Sequence, residues 1–280
     1  MIPSLIIALR ETLEAALIIG IIIGYLNKTG QQKYKKIVAL AVILAVIASV
    51  IGAFLFNTLA GGFEGRAEQI FEGITMAIGA IMLTTMILWM IGHKKTGQGL
   101  KDHLASGAVN QRAVGLFFLV FISILREGIE LVLFLGVASF VSGGNNLLGA
   151  LAGIILAVIF GYTIFAGLMQ IDIKKFFNIT SILLVLFAAG LVAHGIHEFE
   201  EAGIIPIVIE HIWDINPAVN ADGSYPALHE DGWLGGIMKG LFGYNGNPSL
   251  LELIGYVLYL LIITLVGKKN NPVSINPTPL

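Results

Sequence analysis

Cysteine is absent from this chain, which removes disulfides, thiolate metal sites and thiol nucleophiles together. Charge is scarce: 12% of the 280 residues are Asp, Glu, Lys or Arg, against about 25% in an ordinary soluble domain. Disordered chains are polar and charged, so that class is excluded. The 16 basic and 18 acidic residues nearly balance, and no basic patch interleaves with aromatics, so nothing points to nucleic acid. What is abundant is apolar side chain, at 56%. A soluble domain of this length could not hide so much of it, and a membrane β-barrel would alternate apolar and polar residues. The composition is that of an all-α polytopic membrane protein.

A spanning helix needs about 20 apolar residues. Seven segments qualify: 2–26, 37–60, 68–92, 113–141, 147–169, 176–200 and 249–267. Together they make residues 1–280 a single membrane domain in the lipid bilayer. The first segment is too long for a signal-peptide core, lacks a basic leader and carries charges, so no cleavable signal is expected. Orientation follows from the basic residues of the connections. Lys28, Lys33, Lys35, Lys36, Lys94, Lys95, Lys101, Arg112, Lys174, Lys175, Lys268 and Lys269 fall on one side, and only Arg66 and Lys239 on the other. This alternation predicts an N-terminus outside, a C-terminus in the cytoplasm, and an extracytoplasmic loop over 203–248. The loop is acidic apart from Lys239, with Trp213 and Trp233 placed to rest at the headgroup level.

The two remaining basic residues, Arg10 and Arg126, lie inside spans. Each heads a pentad: Arg10-Glu11-Thr12-Leu13-Glu14 in span 1 and Arg126-Glu127-Gly128-Ile129-Glu130 in span 4. Charges at membrane depth cost several kcal/mol each, so six of them in two matching motifs need a reason. At roughly 100° per residue, Arg10, Glu11 and Glu14 share an arc of about 100°. Arg10 and Glu14 are an i,i+4 pair, and the same holds for Arg126, Glu127 and Glu130. Two arginines cannot neutralise four glutamates, and a desolvated site of that sign suits a cation. Spans 1 and 4 run in opposite directions. This predicts a 3+3 inverted repeat with one helix appended, and a site at the midplane between the halves. Glu14 lies roughly 18 Å into its span.

Two further groups stand near the predicted outer face. Span 3 begins with Glu64, Glu68 and Glu72, of which Glu72 leads a long apolar run. Carboxylates favour a helix N-terminus in any case, which accounts for Glu64 best. Span 6 ends in His194-Gly195-Ile196-His197-Glu198-Phe199-Glu200-Glu201. His194, His197, Glu198 and Glu201 share one helix face, with Glu200 pointing elsewhere. Imidazole and carboxylate together bind first-row metals. Gly20-xxx-Gly24 and Gly149-xxx-Gly153 read as close-packing motifs within the chain.

With its two Arg-Glu-x-x-Glu pentads, the chain resembles the oxidase-dependent iron permease family, also called the iron/lead transporter family, and specifically its short bacterial-type permeases. The seven spans, outside N-terminus, acidic span 3, acidic end of span 6 and late Gly243-Tyr244-xxx-Pro248-Ser249 agree with that resemblance. It implies high-affinity import of iron across the cytoplasmic membrane, with pentad carboxylates binding the ion. It also implies a separate extracytoplasmic ferroxidase or iron-delivery partner.

The expected metal ligands are Glu11, Glu14, Glu127 and Glu130, with Glu68, Glu72, His197, Glu198 and Glu201 collecting ions at the mouth. Arg10 and Arg126 organise the pentads. Iron is the transported substrate, no tightly bound cofactor is expected, and a homo-oligomer is left open. Carboxylates suit hard Fe³⁺, but Fe²⁺, Mn²⁺ or Pb²⁺ remain alternatives, since ligand type alone does not fix the metal. An intramembrane di-iron enzyme would show Glu-x-x-His twice, and no such tetrad occurs, so the expectation is no enzyme. A proton-coupled carrier of organic anions fits poorly with carboxylates in excess of arginines.

Overall fold

The computed structural model describes residues 2–92, 113–142, 146–165 and 173–270. Among them every regular element is helical: α1 (Ile2–Lys28), a 3₁₀ turn (Gln32–Tyr34), α2 (Lys35–Ala60), α3 (Arg66–Gly92), α4 (Ala113–Ser142), α5 (Leu147–Phe165), α6 (Ile173–Glu201), α7 (Trp233–Phe242) and α8 (Leu250–Asn270). Seven of these fall on the seven expected segments within a few residues. Lys94, Lys95, Lys101 and Arg112, and residues 166–169 of the fifth expected span, lie outside the described residues.

Five of the helices, α2, α3, α5, α6 and α8, are long and apolar enough to cross a membrane. The other two long helices, α1 at 27 residues and α4 at 30, are the pentad helices. Their length is ample, but each carries an arginine and two glutamates at its centre. Large apolar side chains face outward along the bundle, Val50 and Phe54 on α2 and Val158 and Tyr162 on α5 among them. Exposed apolar area on this scale marks a surface that meets something other than water. The chain is an integral, multi-pass membrane protein.

The principal helix pairs are α1 with α5, α2 with α4, α3 with α6, α6 with α8 and α1 with α4. The α1–α5 contact is close because of glycine. A Cβ on Gly153 would lie 2.8 Å from the Leu9 amide nitrogen and would also strike the Leu5 carbonyl oxygen, and one on Gly20 would run into the Phe165 ring. Gly20 and Gly153, one from each small-residue motif, therefore serve packing between these helices, whereas Gly24 faces open space.

Buried apolar side chains form two layers. One gathers Ile7, Met76, Leu83, Phe134, Val137 and Leu191 with their neighbours; the other gathers Ile22, Leu26, Val38, Leu116, Val120 and Ile124. On α1 the pentad lies between Ile7 of the first layer and Ile22 of the second. On α4 it lies between Ile124 of the second layer and Phe134 of the first. The order is reversed on α4, so α1 and α4 pass through the same two layers in opposite directions. Along both helices the charged pentads therefore lie between the two layers.

The 203–248 segment is more structured than the expected solvated loop. It contains the ten-residue helix α7 and is held to the start of α8 by backbone bonds from Ile212 to Pro248 at 3.0 Å, Ile215 to Gly246 at 2.9 Å and Leu250 to Ile209 at 3.1 Å. Trp213 and Trp233 are exposed, as an interfacial position requires. Glycine also fixes where α6 stops. Gly203 has φ +66°. Its N–H donates to the Glu200 carbonyl at 3.0 Å, and the Ile204 N–H donates to the Phe199 carbonyl at 2.9 Å. This is a Schellman ending that an L side chain adopts only with strain. It sets the carboxylates of the last α6 turn in place.

Candidate metal centre

The two pentads meet. Glu11, Glu14 and Glu127 each present a carboxylate oxygen within 4.8 Å of the others, and Glu130 is close enough to interact electrostatically with both Glu11 and Glu14. Glu11, Glu127 and Glu130 are buried, and Glu14 is partly so. One oxygen of Glu11 and one of Glu127, both named Oε2, are buried with no hydrogen-bond partner. A buried carboxylate oxygen without a donor is costly. Three converging carboxylates, two of them with an unpartnered oxygen, offer an all-oxygen donor set of the kind that hard cations occupy.

The arginines do different work. Arg10 is completely buried and forks across its own pentad, with Nη1 2.7 Å from Glu11 Oε1 and Nη2 2.7 Å from Glu14 Oε1. Its Nη2 also lies 3.2 Å from Met86 Sδ on α3, and its guanidinium carbon stands 6.0 Å above the Phe177 ring centroid of α6. Neighbours from three helices thus fix its plane. Arg126 has 57% of its side chain exposed, and its Nε bonds Glu130 Oε1 at 3.0 Å while Nη2 is 3.6 Å from Glu127. One end of the carboxylate group is clamped, and the other is held by a cation that faces open space.

The second expected group is assembled only in part. Glu68 is exposed and Glu72 half-buried, and both interact electrostatically with Glu198. Gln69 donates to Glu201 at 2.9 Å, which ties the start of α3 to the end of α6. His197 is the pivot: Nε2 is 3.2 Å from Glu201 Oε1, and Nδ1 is 3.0 Å from Glu252 Oε1 on α8. His194 does not join them. Its Nδ1 bonds the Gly190 carbonyl at 2.9 Å inside the bundle. Sequence reasoning set Glu200 aside and passed over Glu252, yet these two lie with His197 within 4.8 Å of one another. A signal for Glu252 was present: Ser249-x-x-Glu252 is a capping box, and both reciprocal bonds form.

Comparison with known proteins identifies relatives along nearly the whole chain. The profile described as "Iron permease FTR1 family" matches residues 1–268. Among curated relatives, "Ferrous iron permease EfeU" of Yersinia pestis is 34% identical over 265 residues, covering 91% of this chain and 89% of the relative. The protein of the same name from Escherichia coli O6:H1 is 32% identical over 268 residues, covering 93% and 92%. No solved structure matches the chain.

Proposed function

This chain belongs to the iron permease FTR1 family, and on that premise we propose that it imports iron across the cytoplasmic membrane, with the glutamates of its two pentads as the transfer site. The observation that carries this reading is the convergence of Glu11, Glu14 and Glu127, two of them with unpartnered buried oxygens. A chain built only to hold its helices together would pair those atoms. In this reading the protein is a permease rather than an enzyme, and iron is its cargo.

The ion gathers at Glu68, Glu72, His197, Glu198 and Glu201, then reaches Glu11, Glu14, Glu127 and Glu130. Arg10 keeps its pentad in register while the Arg126 side yields. Seven helices span, with the N-terminus and the 203–248 segment outside and the C-terminus in the cytoplasm. Exchanging α1 with α4, α2 with α5 and α3 with α6 maps the contacts α1–α5 and α2–α4 onto each other and leaves α1–α4 and α3–α6 in place. That supports the inverted repeat. A separate extracytoplasmic oxidase or iron-delivery protein supplies the ion, and assembly into a homo-oligomer is compatible with the bundle.

Hard carboxylate oxygens favour Fe³⁺ as the ion held. The relatives' name favours a second reading, in which Fe²⁺ is the species taken up. Radio-iron uptake into liposomes holding the purified chain, with oxidation state and pH gradient set independently, separates the two. Uptake of ferric iron that persists without reductant supports the first, and uptake only under reducing conditions supports the second. No iron uptake in either state overturns the permease reading.

A further inference from the structure

Where the end of α6 meets the start of α8, one possible ligand atom from each of His197, Glu200 and Glu252 lies within 4.8 Å of the others. Much of the bonding around Glu252 has an ordinary cause. Its Oε1 accepts the Ser249 N–H at 3.1 Å, and Ser249 Oγ accepts the Glu252 N–H at 3.2 Å, which caps α8. Asn245 donates to Glu252 Oε2 at 2.7 Å. Glu200 has no such explanation. It is 5% exposed, its Oε2 accepts from Ser249 Oγ at 2.6 Å, and its Oε1 is buried with no hydrogen-bond partner. The helix cap is complete without that atom, and leaving it unpaired is unfavourable.

We infer that His197, Glu200 and Glu252 form a second cation site, separate from the pentads, that takes a first-row divalent metal ion through one imidazole nitrogen and two carboxylates. The charge balances, because two carboxylates neutralise a dication and a neutral imidazole adds none. The donor set suits Fe²⁺, Mn²⁺ or Zn²⁺ and is a poor match for Ca²⁺ or Mg²⁺, which prefer all-oxygen shells. Approach is through His197, whose side chain is 43% exposed while that of Glu252 is 2% exposed. The ring is oriented by Glu201 on its far nitrogen, as ligating histidines usually are by a second carboxylate. Because two ligands come from α6 and one from α8, an ion here fastens those helices together. The site stands on binding alone and holds whether or not the pentads carry the cargo.

Pulsed EPR of Mn²⁺ bound to the full chain in nanodiscs tests it, because nitrogen coupling reports an imidazole that the all-oxygen pentad pocket cannot supply. The double variant Glu14→Gln, Glu127→Gln empties the pentads and should retain the nitrogen coupling. His197→Gln should abolish it. Glu200→Gln still accepts the Ser249 hydroxyl, so the bundle is kept, and it should weaken Mn²⁺ binding to the nitrogen-coupled site by about tenfold or more. Three results overturn the site: no nitrogen coupling in the pentad double variant at saturating Mn²⁺, coupling that survives His197→Gln, or unchanged affinity in Glu200→Gln. Failure of the permease reading shows instead in iron uptake, which this binding measurement does not use.

Discussion

Arg10 and Arg126 head the same motif, but the fold leaves one sealed and the other 57% exposed, and this difference sets what each tolerates. A buried guanidinium bound to two carboxylates cannot be replaced by an ammonium, which lacks the planar fork. Removing a partner from a buried ion pair costs about 3–5 kcal/mol. Arg10→Lys should therefore lose most uptake and lower thermal stability in detergent, whereas Arg126→Lys should keep a substantial part of both. Equal behaviour of the two variants would show that the pentads are equivalent. Glu14→Gln and Glu130→Gln should each reduce uptake to about a tenth or less of wild type at equal membrane levels, read by radio-iron uptake in vesicles. The doubled pentad was legible because charge inside an apolar run needs a reason at any depth. The inequality of the arginines was not, because it depends on Met86 and Phe177, contributed by helices far away in sequence. Glu200 was missed for a similar cause: helical periodicity assigns a face, but it does not say which neighbour lies beyond it.

Among the elements, the seven long helices could be read from hydropathy to within a few residues, since each apolar run must satisfy its own backbone in lipid. The short helix α7 could not, because its ten residues sit in a polar segment whose order comes from pairing with the start of α8. The α1–α5 pair rests on a backbone approach that only glycine allows. Gly153→Val would place a branched side chain against Leu5, Ala8 and Leu9, and overpacking of that kind costs about 1–3 kcal/mol, sometimes more. The expected result is a lower melting temperature and reduced uptake. Gly24→Ala on the partner helix α1 meets nothing within 4 Å and should leave both unchanged, which controls for a general sensitivity of α1.

For the whole molecule, the asymmetry of basic residues predicts that the end of α6 and the 203–248 segment face outward. A tag in that segment should be reached by an impermeant reagent from outside intact cells, and labelling only after the membrane is opened would reverse the orientation. Glu198→Gln with Glu201→Gln should raise the external iron concentration for half-maximal uptake more than it lowers the maximal rate. That outcome is expected if, as proposed, these groups concentrate ions ahead of the transfer step. An unchanged half-saturation point would remove them from the route. The basic-residue asymmetry is present in the sequence, whereas the approach of α3, α6 and α8 at this end depends on tertiary contacts between helices distant in the chain.

The charged stratum of the two pentads lies between two apolar layers that α1 and α4 both cross. In the proposed route a file of ions cannot stream through such a bundle, because apolar side chains stand on both sides of the pentads along α1 and α4. Each passage must wait for one layer to part and reseal, so the protein should turn over as a carrier, with no unitary currents in a planar bilayer and a flux that rises steeply on warming. On the proposed function, total flux would then scale with the number of copies in the membrane.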